Sequence, residues 1–172
     1  RVLDLSRVFA GPLCGQVLAD FGADVIKVEH PGRGDDTRDW GMRIGKTETT
    51  YYNSMNRNKR SITVDLQTPE GVKIIHSLLP QYDLVIQAEA GLMAINGEAS
   101  QPPLKFGVAA VDMMTGMYAA QAVLAALFRR ERTGTGRHIE MALYDCGLMI
   151  TGFYGLDAML LCYDPQRYGN AY

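Results

Sequence analysis

The stretch that decides the fold is Val2-Leu3-Asp4-Leu5, then Ser6-Arg7-Val8-Phe9-Ala10-Gly11-Pro12, the run Leu13 to Asp20, Gly22, and Ala23-Asp24-Val25-Ile26-Lys27-Val28-Glu29. It reads as strand, loop, helix and strand. Pro12 suits the first residue of a helix, and Gly22 suits its end. A βαβ unit of this length implies parallel strands joined by a crossover helix. The loop after the first strand then lies at the carboxyl edge of the sheet, where open α/β folds bind ligands. Ala10-Gly11 lets backbone approach a ligand closely. A G-x-G-x-x-G dinucleotide fingerprint is absent, and a plain tight turn is the simpler reading of the loop on its own.

Working outward, His30-Pro31-Gly32-Arg33-Gly34-Asp35-Asp36-Thr37-Arg38 is a glycine-rich charged loop, suited to phosphate or simply to the surface. Residues from there to Thr50 show little period and read as irregular. Lys59 and Arg60 precede a third strand, Ile62-Thr63-Val64-Asp65, and are candidates for phosphate or a solvated pair. Thr68-Pro69-Glu70-Gly71 is a strong helix start, with Thr68 as cap and the helix running to about Leu79. Gln81 to Gln87 begins abruptly. Ala88 to Ile95 reads as helical and Gly97 to Lys105 as loop.

Val111-Asp112-Met113-Met114-Thr115-Gly116 opens a long apolar run to Phe128, which closes on Arg129, Arg130 and Arg132 and breaks at Thr133-Gly134-Thr135-Gly136. Asp112 sits where a helix N-cap belongs, and the arginines suit the other end of the helix dipole. A cap is the bland reading of Asp112. The sharper one is a nucleophile, since a carboxylate at a helix N-terminus stays ionised and can attack an activated acyl group. His138 to Asp145 alternates like a strand, and Cys146 to Cys162 reads as a helix interrupted by Gly152 and Gly155.

The chain has 172 residues, enough for one domain with a real core. At 47% hydrophobic and 21% charged it is globular rather than disordered. Net charge is −2 with acids and bases interspersed, which argues against a nucleic-acid partner. Cys14, Cys146 and Cys162 show no paired spacing and imply a reducing, cytoplasmic compartment. His30, His76 and His138 are scattered, so no metal site is expected. Polar residues and glycines break the apolar runs, so no membrane span is expected. The chain starts at Arg1 directly before a strand and stops within a Gly-Asn loop, and is read as part of a longer protein.

Five blocks together carry a resemblance: VLDLSRVFAGPLCGQVLADFGADVIKVEHPGRGDDTR, YYNSMNRNKRSITVDLQTPEG, YDLVIQAEAGLMAINGE, VDMMTGMYAAQAVLAALFRRERTGTGRHIEMALYD and RYGNAY. In this order, with the Asp-x-x-Thr-Gly and Thr-Gly-x-Gly elements, the chain resembles the family III CoA-transferases. That group includes formyl-CoA transferase, the carnitine CoA-transferase and the α-methylacyl-CoA racemases.

The resemblance implies an open, mostly parallel Rossmann-like α/β sheet with flanking helices, part of the large domain of an interlocked homodimer. It implies an acyl-CoA:carboxylate CoA-transferase with Asp112 as nucleophile, working through an aspartyl anhydride and an aspartyl-CoA thioester. No permanently bound cofactor is implied; the coenzyme A thioester is a substrate, and the acceptor is a carboxylate. Val8 and Ala10 match backbone that lies along CoA. Arg7, His30, Val64, Gln67 and Leu143 match further positions near it, His30 standing for an arginine and Gln67 for a lysine of formyl-CoA transferase. Phe9 stands where that relative has an active-site glutamine, which argues against formyl or oxalyl specificity. Tyr82 stands where the racemases have a catalytic histidine, which argues against the alternative of racemisation. A family segment is missing near residues 79–82, and the small domain beyond residue 172 is absent. The chain is therefore read as an incomplete large domain, and an inactive CoA-binding fragment is the third reading.

Overall fold

A computed structural model describes residues 1–86, 108–152, 155 and 160–162. Strand β1 (Val2–Asp4) leads through helix α1 (Ala10–Asp20) to strand β2 (Val25–Glu29). The two strands pair in parallel, with Asp4 opposite Lys27. A 3-10 turn (Asp36–Asp39), a short antiparallel hairpin of β3 (Arg43–Ile44) and β4 (Glu48–Thr49), and helix α2 (Thr50–Asn56) follow. Strand β5 (Arg60–Thr63), helix α3 (Pro69–Leu78) and strand β6 (Leu84–Ile86) complete the sheet. Its order is β5-β2-β1-β6, and every pairing is parallel. The chain winds outward from β1 to β5 and then crosses back to lay β6 on the other side of β1. That reversal is a topological switch point, where open α/β sheets form a ligand crevice at their carboxyl ends. Helix α4 (Ala110–Thr133) packs on α1, and α5 (Leu143–Ile150) packs on α4.

Alternation along the strands sets the two faces. Val2 and Val25 join Cys14 and Leu18 of α1, Ile86 of β6, and Ala120 and Val123 of α4 in one apolar cluster. Leu3, Ile26 and Val28 face the other way, onto Val64 and Ile75. The α1 face turns polar toward its carboxyl edge, where Asp4, Lys27 and Glu29 are all buried. Lys27 Nζ lies 2.8 Å from Asp35 Oδ2, and Lys59 Nζ 2.8 Å from Asp4 Oδ2. Glu29 accepts from Arg38, Tyr52, Ser61 and the Asp35 backbone. Buried charge is tolerated only when paired and hydrogen-bonded, and among the described residues no buried side-chain nitrogen or oxygen lacks a partner.

Several expectations are corrected. Helix α1 starts at Ala10, so Pro12 is its third residue. The region up to Thr50 is ordered, because the Thr49 hydroxyl caps α2 by accepting from Tyr52 N–H at 3.0 Å while donating to Thr37 carbonyl oxygen at 2.7 Å. The third strand begins two residues earlier than expected. His138 to Ala142 forms no strand despite its alternation; Leu143 instead opens α5. The expected helix and loop over 88–105 lie outside the described residues, and most of the segment after Gly152 lies there too. The α3 start is as expected: Thr68 accepts from Gly71 N–H and Pro69 is the first helical residue.

Burial alone would raise the Glu29 carboxyl, but the bonds from Arg38, Ser61, Tyr52 and Asp35 N–H outweigh it and hold the group near 2 against an ordinary 4.5. This stabilisation is complete above the unfolded value and is lost as pH falls from about 4.5 toward 2. Glu29→Gln is expected to cost roughly 2 kcal/mol at pH 7 and to flatten the acid limb of stability against pH. Urea unfolding across a pH series checks both.

Candidate active site

The loop from Ser6 to Phe9 leaves β1 at the carboxyl edge and enters α1 without a capping side chain. A recess lies on each side of it. The smaller, about 110 Å³, is lined by Leu5, Arg7, His30, Arg33, Val64 and Gln67 with neighbouring residues. The larger, about 390 Å³, runs between α1, β6 and α4 and is walled by Ala10, Cys14, Ile86, Thr115, His138 and Leu143 among others. It opens beside the switch point and falls within the usual size range of small-molecule sites.

Asp112 is not an N-cap. Ala109 holds that position without a side-chain bond, and Asp112 is the third residue of α4, in its first turn. Its carboxyl is half-buried. Desolvation raises its pKa above the ordinary aspartate value, offset in part by its own backbone N–H. Thr115, one turn on, is buried, donates to the Val111 carbonyl at 2.7 Å, and lines the larger recess. Gly116 explains how this end of α4 reaches the loop. A Cβ built there would lie 2.7 Å from the Ala10 carbonyl oxygen and 3.1 Å from Leu13 Cβ, so only glycine permits this crossing without displacement. Thr-Gly thus sets the first turn of α4 against the start of α1.

The sequence-derived candidates divide between the recesses. Arg7, His30, Val64 and Gln67 line the smaller, and Ala10 and Leu143 line the larger. Val8 and Asp112 line neither. Arg7 is half-exposed and ion-paired with Asp36, so part of its charge is already engaged. The His30 ring lies against the Pro31 carbonyl. Lys59 is withdrawn from any phosphate role: its ammonium is buried among Asp4 Oδ2, the Pro12 carbonyl and Asn56 Oδ1 at 2.7–2.9 Å. Arg60 pairs with Asp24. Among the described residues no cluster of three His, Cys, Asp or Glu side chains is placed to hold a metal.

The structure adds groups that the sequence reading passed over. Tyr51 stands edge-on to Phe9 at 5.8 Å and to Trp40 at 5.6 Å. Its phenol pKa is raised by burial and then by the charges of Asp112 and Asp35. The Thr49 cap followed by Tyr51-Tyr52 was the available signal. Asp35, read only as loop, proves to be a buried anchor.

A parallel α/β sheet with a recess at its switch point is the arrangement in which open sheets bind ligands. The chain belongs to CoA-transferase family III, whose profile matches residues 1–86 and 76–172. It is 35% identical to the succinate–glutarate CoA-transferase of Agrobacterium fabrum over 227 aligned positions, covering all of this chain and 57% of that protein. It is 34% identical to the succinyl-CoA:glutarate CoA-transferase of Homo sapiens, covering 100% of this chain and 50% of that one. The crystal structure of a CAIB/BAIF family protein from Brucella suis matches with a TM-score of 0.89 at 33% identity, over 99% of this chain and 59% of that one. The chain spans about half the length of the curated relatives it matches.

A raised native pKa gives Asp112 the opposite linkage from Glu29. In the window from the ordinary aspartate value up to the raised one, the native state binds more protons than the unfolded state, so stability falls as pH rises through it. Asp112→Asn is therefore expected to leave the melting temperature at pH 7 unchanged or raised, read by differential scanning calorimetry. A lowered value would show that the carboxylate supports the helix.

Proposed function

We propose that the chain is part of the large catalytic domain of an acyl-CoA:carboxylate CoA-transferase, with Asp112 as its nucleophile. The observation that carries this reading is the half-buried Asp112 on the first turn of α4, one turn from Thr115 in the recess wall, with Gly116 drawing that turn against Ala10. In the proposed cycle an Asp112 oxygen attacks the donor thioester carbonyl. The C–S bond breaks and CoA leaves as thiolate, giving a mixed anhydride. The thiolate attacks Asp112 Cγ and expels the donor carboxylate, giving an aspartyl-CoA thioester. The acceptor carboxylate then attacks Cγ and releases the thiolate. The thiolate finally attacks the acceptor's acyl carbon and frees Asp112. No net proton is taken up. Partial burial suits these intermediates, which water would hydrolyse.

The names of the relatives point to dicarboxylates, so succinyl-CoA and glutarate are the substrates to try first. CoA would lie along Val8 and Ala10, with Arg7, His30, Val64, Gln67 and Leu143 around it. A homodimer is part of the reading. Its support is an exposed apolar stripe on α4 formed by Met113, Met117, Leu124 and Phe128. The 24 residues of α4 are long and apolar enough to cross a bilayer by length and composition alone. Its packing on α1 through buried Thr115, Gly116, Ala120 and Val123 favours a core helix instead. The three unpaired cysteines support a cytoplasmic location.

A second reading has its own observation. The Agrobacterium alignment runs over 227 positions against 172 residues here, and the two profile matches overlap at residues 76–86. Both fit an internal family segment missing between α3 and β6. Such a chain would bind CoA without turning it over.

One experiment separates these readings. With succinyl-CoA and glutarate, the native protein is expected to form glutaryl-CoA, followed by liquid chromatography. Asp112→Ala is expected to reduce formation to background while CoA affinity stays within a few fold. Exchange surviving in Asp112→Ala would refute the nucleophile, whereas CoA binding without exchange in the native protein would favour the inactive fragment.

A further inference from the structure

Val8 holds φ at +70°, a left-handed conformation that a β-branched residue rarely adopts. Strain of this kind persists only where the surroundings over-determine it, and it gathers at ligand-binding segments. Here the surroundings can be named. On the upstream side, Ser6 N–H donates to Asp4 Oδ1 at 3.0 Å, and the Ser6 carbonyl accepts from Lys27 Nζ at 2.9 Å. Val8 N–H points at Asp35 Oδ2, at 3.4 Å. On the downstream side, Phe9 is buried against Tyr51. Lys27 and Asp35 join these restraints to each other, with both side chains only 1% exposed. The other Asp35 oxygen accepts from Thr37 N–H at 3.0 Å and Thr37 Oγ1 at 2.8 Å, so one carboxylate fixes both the 6–9 and the 30–39 loops.

We propose that Lys27 and Asp35 are positioning residues that hold the Ser6–Phe9 backbone in a preformed, strained shape, so that coenzyme A meets an ordered strip of main chain between the two recesses. The proposal rests on the CoA-transferase reading for its ligand, but the clamp itself stands on the geometry of this chain. A glycine would adopt the Val8 conformation freely. It would also let the segment leave that conformation, and ordering a flexible segment on binding weakens affinity.

The test compares native protein, Val8→Gly and Asp35→Asn. Coenzyme A itself is titrated by calorimetry, and hydrogen exchange is followed in peptides covering residues 5–13 and 30–39. Val8→Gly is expected to melt no lower than native, to exchange faster in 5–13, and to bind coenzyme A about tenfold more weakly. Asp35→Asn is expected to speed exchange in both peptides. If Asp35→Asn does not fold, Val8→Gly decides alone. Native coenzyme A affinity in Val8→Gly would overturn the proposal, and so would weaker affinity accompanied by a lowered melting temperature, which marks a packing role. If the native protein does not bind coenzyme A, the ligand reading fails, while unchanged exchange in 5–13 for both variants would separately overturn the clamp.

Discussion

A lysine ammonium and an aspartate carboxylate, Lys27 and Asp35, meet 2.8 Å apart almost sealed from water. The rest of the site depends on this contact. Lys27 projects from β2 onto the face that α1 covers, so an unpaired charge there would carry a heavy desolvation cost. Its partner comes from the 30–39 loop, and that loop must therefore fold back over the carboxyl edge of the sheet. Glu29, two residues along the same face, draws Arg38, Tyr52 and Ser61 in the same way. The charged row thus makes one strand of a parallel sheet an anchor for the 6–9 and 30–39 loops at its carboxyl edge.

A second constraint works from the other side. Helix α4 is held to α1 by small residues, with Gly116 against Ala10 and Ala120 in the shared apolar cluster. This crossing puts the turn bearing Asp112 next to the loop that the buried pair holds. Neither device acts on substrate. Together they set the first turn of α4, which carries Asp112, against the start of α1, an arrangement that the proposed acyl transfer would use.

The parts of this arrangement legible in the sequence were the local ones. The βαβ unit, the Thr68-Pro69 start of α3 and the Thr133-Gly134 end of α4 are set by residues within a few positions of one another. Helix α2 was illegible because its cap, Thr49, depends on a bond to Thr37. Lys59 looked like a phosphate ligand because nothing near it in the chain reveals Asp4 as its partner. The alternating His138–Ala142 stretch misled because a period-2 pattern becomes a strand only when a neighbouring strand pairs with it, and none of the described strands does. Asp112 was placed at the cap by residue type alone, while the helix in fact begins two residues earlier, at Ala110. The conformation of Val8 had no local signal, since tertiary anchors impose it.

The proposed cycle requires that Asp112 become covalently joined to coenzyme A. The direct measurement is intact-mass and peptide-mapping spectrometry of the protein after incubation with succinyl-CoA. The account predicts an added mass equal to coenzyme A less water, mapped to the peptide containing Asp112 and lost in Asp112→Ala. An adduct on another residue, or glutaryl-CoA formation undiminished in Asp112→Ala, would contradict it.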